Sequence, residues 1–319
     1  MNKRWLLSTL VPALKPTFAA TIMATALLSS GCQSLTQQPQ PANSVEAEHQ
    51  QAKQQVVLKI ATITPVVESI TQSLTENTEI ELVYLPSQRY SIKRIPGWLK
   101  KQDHNAFPEV DAVAGISSVW SELDAYPSFR LQNIQVVPID LAHALVPGGE
   151  RVAITQQDNS LEAQTPSYFW LNPSNALIMV GILSRDLKAL INQMPYSPET
   201  RDTLISTINL NQANINTSLR EFQVALDQTL MDQGFMQVTT DKPELNELLA
   251  ATLLPDVSLE EAKQGDFPTL LITSRKTSHK SYRTLPSHIK VWSIDDFGKV
   301  KPGSFSERWA NTLKSLNTI

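Results

Sequence analysis

Apolar positions along the chain alternate between two kinds of run. Short β-branched or aliphatic blocks occur at 56–62, 80–85, 110–116, 134–137, 267–273 and 289–294. Each has the length of a buried strand. Between them lie stretches with three- and four-residue apolar spacing. Thr64-Pro65 supplies a cap residue followed by proline at the first helical position, so a helix is expected to about residue 77. A shorter helix is expected over 119–126. Asn172-Pro173 repeats the cap pattern and opens a helix to about residue 192. Ser197-Pro198 opens a longer one, in which Leu204, Ile208, Ile215, Leu219, Phe222, Leu226 and Leu230 hold one face. Uninterrupted to about residue 231, it would be roughly 50 Å long at 1.5 Å per residue. The asparagines between 209 and 216 leave open the alternative of two ordinary helices. After Gly234 the strand pattern resumes, and a helix over 306–316 closes the chain. Strands alternating with helices predict an α/β fold: two lobes with parallel sheets, joined by one long helix. The expected division is an N-terminal lobe at 56–196, the linking helix at 197–233 and a C-terminal lobe at 234–319.

The first 55 residues follow other rules. Lys3, Arg4 and Lys15 precede an apolar stretch at 18–28 and then small residues up to Cys32. That order is a secretory signal peptide over 1–31. Its apolar core is too short to span a bilayer. Leu28-Ser29-Ser30-Gly31-Cys32 resembles the lipobox of bacterial lipoproteins, whose cysteine is lipidated and becomes the mature N-terminus. Such sequences prefer leucine three residues before the cysteine, where this chain has Ser29. The alternative is an uncleaved anchor with an incidental cysteine. Residues 32–55, rich in Gln, Ser, Ala and Glu and containing Pro39 and Pro41, read as a flexible tether. Gln33 after the cysteine, where an aspartate would signal retention, resembles the outer-membrane sorting state of Gram-negative cells. The expected address is therefore the periplasmic side of the envelope, held by the lipid.

Charge and cysteine usage narrow the chemistry. Loss of 1–31 removes three basic residues and no acid, moving the formal charge from −4 to −7. An acidic exported protein is a poor binder of nucleic acid. Cys32 is the only cysteine, so disulfides and thiolate metal sites are excluded. No Gly-x-Ser-x-Gly elbow or phosphate-binding glycine loop is present, and nothing recommends an enzyme. Trp98 and Trp120 read as packing residues. Lys276, His279, Lys280 and Arg283 read as a solvated basic helical face.

Four segments, in order, carry a family resemblance: Leu85-Pro86-Ser87-Gln88-Arg89-Tyr90, Ser167-Tyr168-Phe169-Trp170-Leu171-Asn172-Pro173, Val238-Thr239-Thr240-Asp241 and Ser293-Ile294-Asp295-Asp296-Phe297-Gly298. Together with the layout they resemble the metal-binding receptors of bacterial zinc and manganese ABC importers. In that family the second segment reads Pro-His-x-Trp-x-Asp/Asn-Pro. The resemblance implies two α/β lobes on a rigid helix, a divalent metal between them as the transported ligand, and a permease as partner to a monomeric receptor. Three histidines and a carboxylate bind the metal there. Here the histidine positions hold Gln88, Tyr168 and Thr240, and only Asp295 remains as a metal ligand. A one-residue slip would substitute Arg89 or Asp296 and restores no histidine. His49, His104, His143, His279 and His288 fall outside these segments. A zinc-type site needs three or four protein ligands, so metal binding is not expected. Gln88, Tyr168, Thr240 and Asp295 would instead wall a polar cleft suited to a small molecule or weakly to a hard cation. A structural or assembly lipoprotein that kept the scaffold without a ligand is the alternative function.

Overall fold

The computed structural model describes residues 57–154 and 167–318. The expected signal peptide, Cys32, the tether and His49 lie outside the described residues. In chain order the first lobe contains β1 (Lys59–Thr62), α1 (Pro65–Leu74), β2 (Glu81–Tyr84), α2 (Ile95–Leu99), β3 (Ala112–Gly115), α3 (Tyr126–Gln132), β4 (Val137–Asp140) and α4 (Pro173–Gln193). Its four strands are all parallel, in the order β2-β1-β3-β4. The chain leaves β1 toward β2 and then crosses back to β3. This puts a topological switch beside β1, and ligands of open α/β sheets bind outside the strand carboxyl ends at such a point. The second lobe contains β5 (Gln237–Thr240), α6 (Asn246–Ala251), α7 (Leu259–Gln264), β6 (Thr269–Thr273), β7 (Ile289–Ser293) and α8 (Phe305–Leu316). Its three strands are also parallel and run in sequence order. The α/β fold of two lobes on one long helix is thus as expected.

That helix is α5 (Pro198–Asp232), and it is continuous. Its buried residues are the seven apolar positions of the sequence stripe. The asparagine-rich stretch does not break it, and Asn209, Asn211 and Gln212 link it to other elements. Asn211 Nδ2 donates to the Leu74 and Glu76 carbonyls at 3.0 and 2.8 Å, capping the end of α1. Gln212 accepts from Ser184 at 2.7 Å, and Asn209 accepts from Lys188 at 2.9 Å. Both partners lie on α4. Toward its C-terminus the helix meets α8, where Phe222 stands edge-on to Trp309 at 4.6 Å between centroids. One helix therefore packs against both lobes.

Three local expectations are corrected. The fourth strand is Val137–Asp140, displaced from 134–137. Asn133 accepts from the Gln135 amide at 2.9 Å and turns the chain, leaving Ile134 74% exposed. The helix expected over 119–126 is a single turn, Ser121–Leu123, followed by α3 with Pro127 in its first turn. Thr64 does occupy the N-cap position of α1, but its side chain makes no capping bond. Among the described residues no helix is long and apolar enough to cross a membrane.

Candidate functional site

The four positions named from the sequence meet four different fates. Gln88, in the loop after β2, is exposed on the rim of an open cleft of about 870 Å³. One wall of that cleft is α1 and the turn after it, with Glu68, Gln72 and Glu76; the other is the segment from Val300 to Glu307. Arg89, its alternative, is also exposed, with its amide at 3.4 Å from the Ser87 hydroxyl.

Tyr168 does not line that cleft. It is 2% exposed and stacks on Trp170 with centroids 4.6 Å apart. Burial, reinforced by the charges of Asp296 and Glu244, pushes its phenol well above the usual tyrosine range. Thr240 ends β5 and is consumed locally. Its hydroxyl donates to the Ile272 carbonyl at 2.8 Å and accepts from the Lys242 amide at 3.1 Å.

Asp295 follows β7 and is held in an internal ion pair. Arg308 donates to it through Nε at 2.9 Å and Nη2 at 3.0 Å, a two-pronged contact. Lys301 Nζ adds a third contact at 3.0 Å. Arg308 is 3% exposed, and its guanidinium lies 4.1 Å from the centre of the Phe297 ring. Burial alone would raise the Asp295 carboxyl, but Arg308 and then Lys301 reverse this and hold it below the usual carboxylate range. A cation seeking Asp295 must compete with two resident ones. Its neighbour Asp296 accepts from the Gly298 amide at 2.9 Å.

The segments themselves do come together. Trp170 Nε1 donates to the Asp296 carbonyl at 3.0 Å, and the Tyr168 amide donates to the Glu244 carbonyl at 2.8 Å. The Ile92 amide donates to the Gly298 carbonyl at 2.8 Å. Lys93 pairs with the Glu244 carboxylate at 2.7 Å. These bonds run directly from one lobe to the other beside the four positions. Burial works against the charge of Glu244, yet the Lys93 bond leaves its carboxyl below the ordinary value.

The histidines with described side chains serve local structure. His279 Nδ1 accepts from the Ser281 amide at 3.3 Å, and His288 Nε2 meets the Ala262 carbonyl at 2.9 Å. His143 forms an isolated bridge with Arg151. Among the described residues no group of three or more His, Cys, Asp or Glu side chains is placed to hold a metal ion. The basic set near 280 is exposed at Lys276, Lys280 and Arg283, but its only regular element is a single 3-10 turn, Lys280–Tyr282, in place of the expected helical face. Trp120 is buried and Trp98 packs against the main core, as expected.

Sequence reasoning missed Arg308, Lys301, Lys93 and Glu244. Only Arg308 left a signal: a lone cation between Phe305, Trp309 and Thr312 on the buried face of an amphipathic helix. Such a residue asks for a buried anion.

No protein-family model matches the chain, and no curated protein matches it. Solved structures do match. A zinc-bound ZnuA deletion mutant shares 14% identity over 82% of this chain and 98% of its own, with a TM-score of 0.52. The Zn(II)-bound ZnuA-like domain of Streptococcus pneumoniae AdcA shares 14% over 82% and 98%, at 0.53. The solute-binding protein FpvC of Pseudomonas aeruginosa, in complex with Mn2+, shares 15% over 82% and 96%, also at 0.53. The chain has the fold of these metal-bound proteins. At such identity the likeness speaks for the fold alone, and the family resemblance read from four short segments is in accord with it.

Proposed function

We propose that this protein is a lipid-anchored extracytoplasmic solute receptor whose cleft takes neither zinc nor manganese. The observation that carries this reading is the pairing of Asp295 with Arg308 and Lys301. The acidic position that would serve a metal is already neutralised by two side chains of the same chain. Gln88, Tyr168 and Thr240 add no imidazole; Gln88 lines the open cleft, and the Thr240 hydroxyl is bonded within its own lobe. In this reading the ligand is a polar solute, handed to an ABC permease by a monomeric receptor, and no catalysis is involved. A long helix packed against both lobes limits their motion to small tilts.

The decisive measurement is metal content and calorimetric titration of the processed protein purified from membranes. Zinc and manganese are expected to show no stoichiometric sub-micromolar binding. One tightly held metal per chain would overturn the reading. The anchor is tested separately. Replacing Cys32→Ser should abolish incorporation of labelled fatty acid and release the protein from the outer-membrane fraction; unchanged labelling would refute a lipid on that residue.

A second reading is favoured by the direct bonds between the lobes. Lys93–Glu244 and Trp170–Asp296 tie the lobes to each other directly, as a structural or assembly lipoprotein would require. Retention of the scaffold with no solute bound from a broad panel would support it.

A further inference from the structure

We infer that the cleft between α1 and the segment leading into α8 binds a linear diamine or polyamine. The inference rests on the receptor reading above and names the ligand class of that receptor.

Charge comes first. Glu68, Glu76 and Glu307 line the cleft, and none has an ion-pair partner among the described residues. The one lysine on its wall, Lys301, is spent on Asp295. The cleft is therefore acidic, with its own cation turned away. Glu68 is the most enclosed of the three. It accepts a hydrogen bond from Thr62, and burial pushes its carboxyl upward. A carboxylate held out of water with no counter-charge is costly unless a cation comes to it.

Two enclosed hydroxyls point the same way. Ser69 is 6% exposed and lies one helical turn before Ser73, a lining residue, on the same stripe of α1. Its hydroxyl has no hydrogen-bond partner among the described residues. Tyr84 stands two residues after Leu82 on β2, hence on the same sheet face, and Leu82 lines the cleft. The enclosed Tyr84 hydroxyl also lacks a partner, and it is near enough to Glu68 for that charge to raise it. Hydroxyls and carboxylates together accept from a donor-only group, which is what an ammonium is.

The remaining lining selects the shape. Ile80, Leu82, Val300 and Pro302 give the cleft an apolar strip that suits methylene groups. Glu68 stands on α1 and Glu76 in the turn just past its end, so two carboxylates sit at separate points along this wall. A ligand with ammonium groups at both ends of an aliphatic chain matches both the carboxylates and the apolar strip. A single small cation would leave most of the volume unfilled, and an anion would face three carboxylates, Glu307 held by the Ser304 amide and Glu68 by Thr62 but none ion-paired among the described residues.

Spermidine and putrescine are the probes, titrated calorimetrically into the full processed protein at low and at physiological salt. One-to-one saturable binding is expected, weakening with salt and falling tenfold or more in Glu76→Gln, an exposed position whose change leaves the fold intact. Glu68→Gln should weaken it further where its melting temperature matches the unaltered protein. Absence of binding at low salt, or binding that Glu76→Gln leaves unchanged, would overturn the amine assignment. A neutral or anionic solute that binds in the cleft would also overturn it while leaving the receptor reading intact, whereas tight zinc binding would bring down that reading instead.

Discussion

Replacing Arg308→Met will destabilise the protein by about 3–5 kcal/mol, the usual loss when one member of a buried ion pair is removed and the other stays. The reason is local. Asp295 would keep Lys301, which is half-exposed, but lose the two charge-assisted bonds that lie inside the protein. The Lys299 carbonyl would lose its donor too, since Arg308 Nη2 reaches it at 3.3 Å. Methionine keeps much of the aliphatic stem and a soft contact with Phe297, so packing is not the main loss. Chemical denaturation measures the effect, and the double change Asp295→Leu with Arg308→Met should cost much less than the single changes added together. Additive costs would mean that the pair is not coupled. The pH dependence carries a definite sign. The folded-state value of Asp295 is depressed, so its contribution is present above the unfolded carboxylate value of about 3.9 and fades as pH falls through the folded one. The gap between the two proteins should therefore be wide near neutrality and narrow in acid. A gap constant with pH would exclude ionic pairing as its source.

The long helix and both sheets were legible because their signals are periodic and local. The α5 stripe names its own buried residues, and the strand blocks fall within a few positions of the observed strands. Misplaced elements lie where a single side chain redirects the chain, as Asn133 does before β4. The site was legible in its segments and not in its chemistry. Matching four motifs identified the loops that meet, and the Trp170–Asp296 and Tyr168–Glu244 bonds join those loops. What the motifs could not reveal is that Asp295 already has partners, because Arg308 lies a turn into another element and reaches back. Nor could they separate Gln88, on an open rim, from Tyr168, packed in the core. Both are polar-capable residues in loops, and only burial distinguishes them.

Trp170→Ala should be comparably severe, at about 3–5 kcal/mol, as truncation of a buried large aromatic generally is. Trp170 is fully buried, stacks on Tyr168 and stands edge-on to Phe169 at 5.2 Å. Its removal leaves a cavity between the start of α4 and the loop after β7, and it leaves the Asp296 carbonyl without its indole donor. The conservative change Trp170→Phe divides these effects. It keeps an aromatic plane against Tyr168 and loses the bond to Asp296 together with part of the volume, for about 1–2 kcal/mol. Hydrogen exchange adds a readout that simple loss of packing would not move. If Trp170 ties the lobes through Asp296, Trp170→Phe should raise exchange at the Gly298 amide, which is held by the Asp296 side chain next to the lost bond, before it affects the first-lobe core around Ile60. Uniformly raised exchange across both lobes would show that Trp170 acts through global stability alone, and the inter-lobe tie would then rest on Lys93–Glu244 and the two backbone bonds beside it.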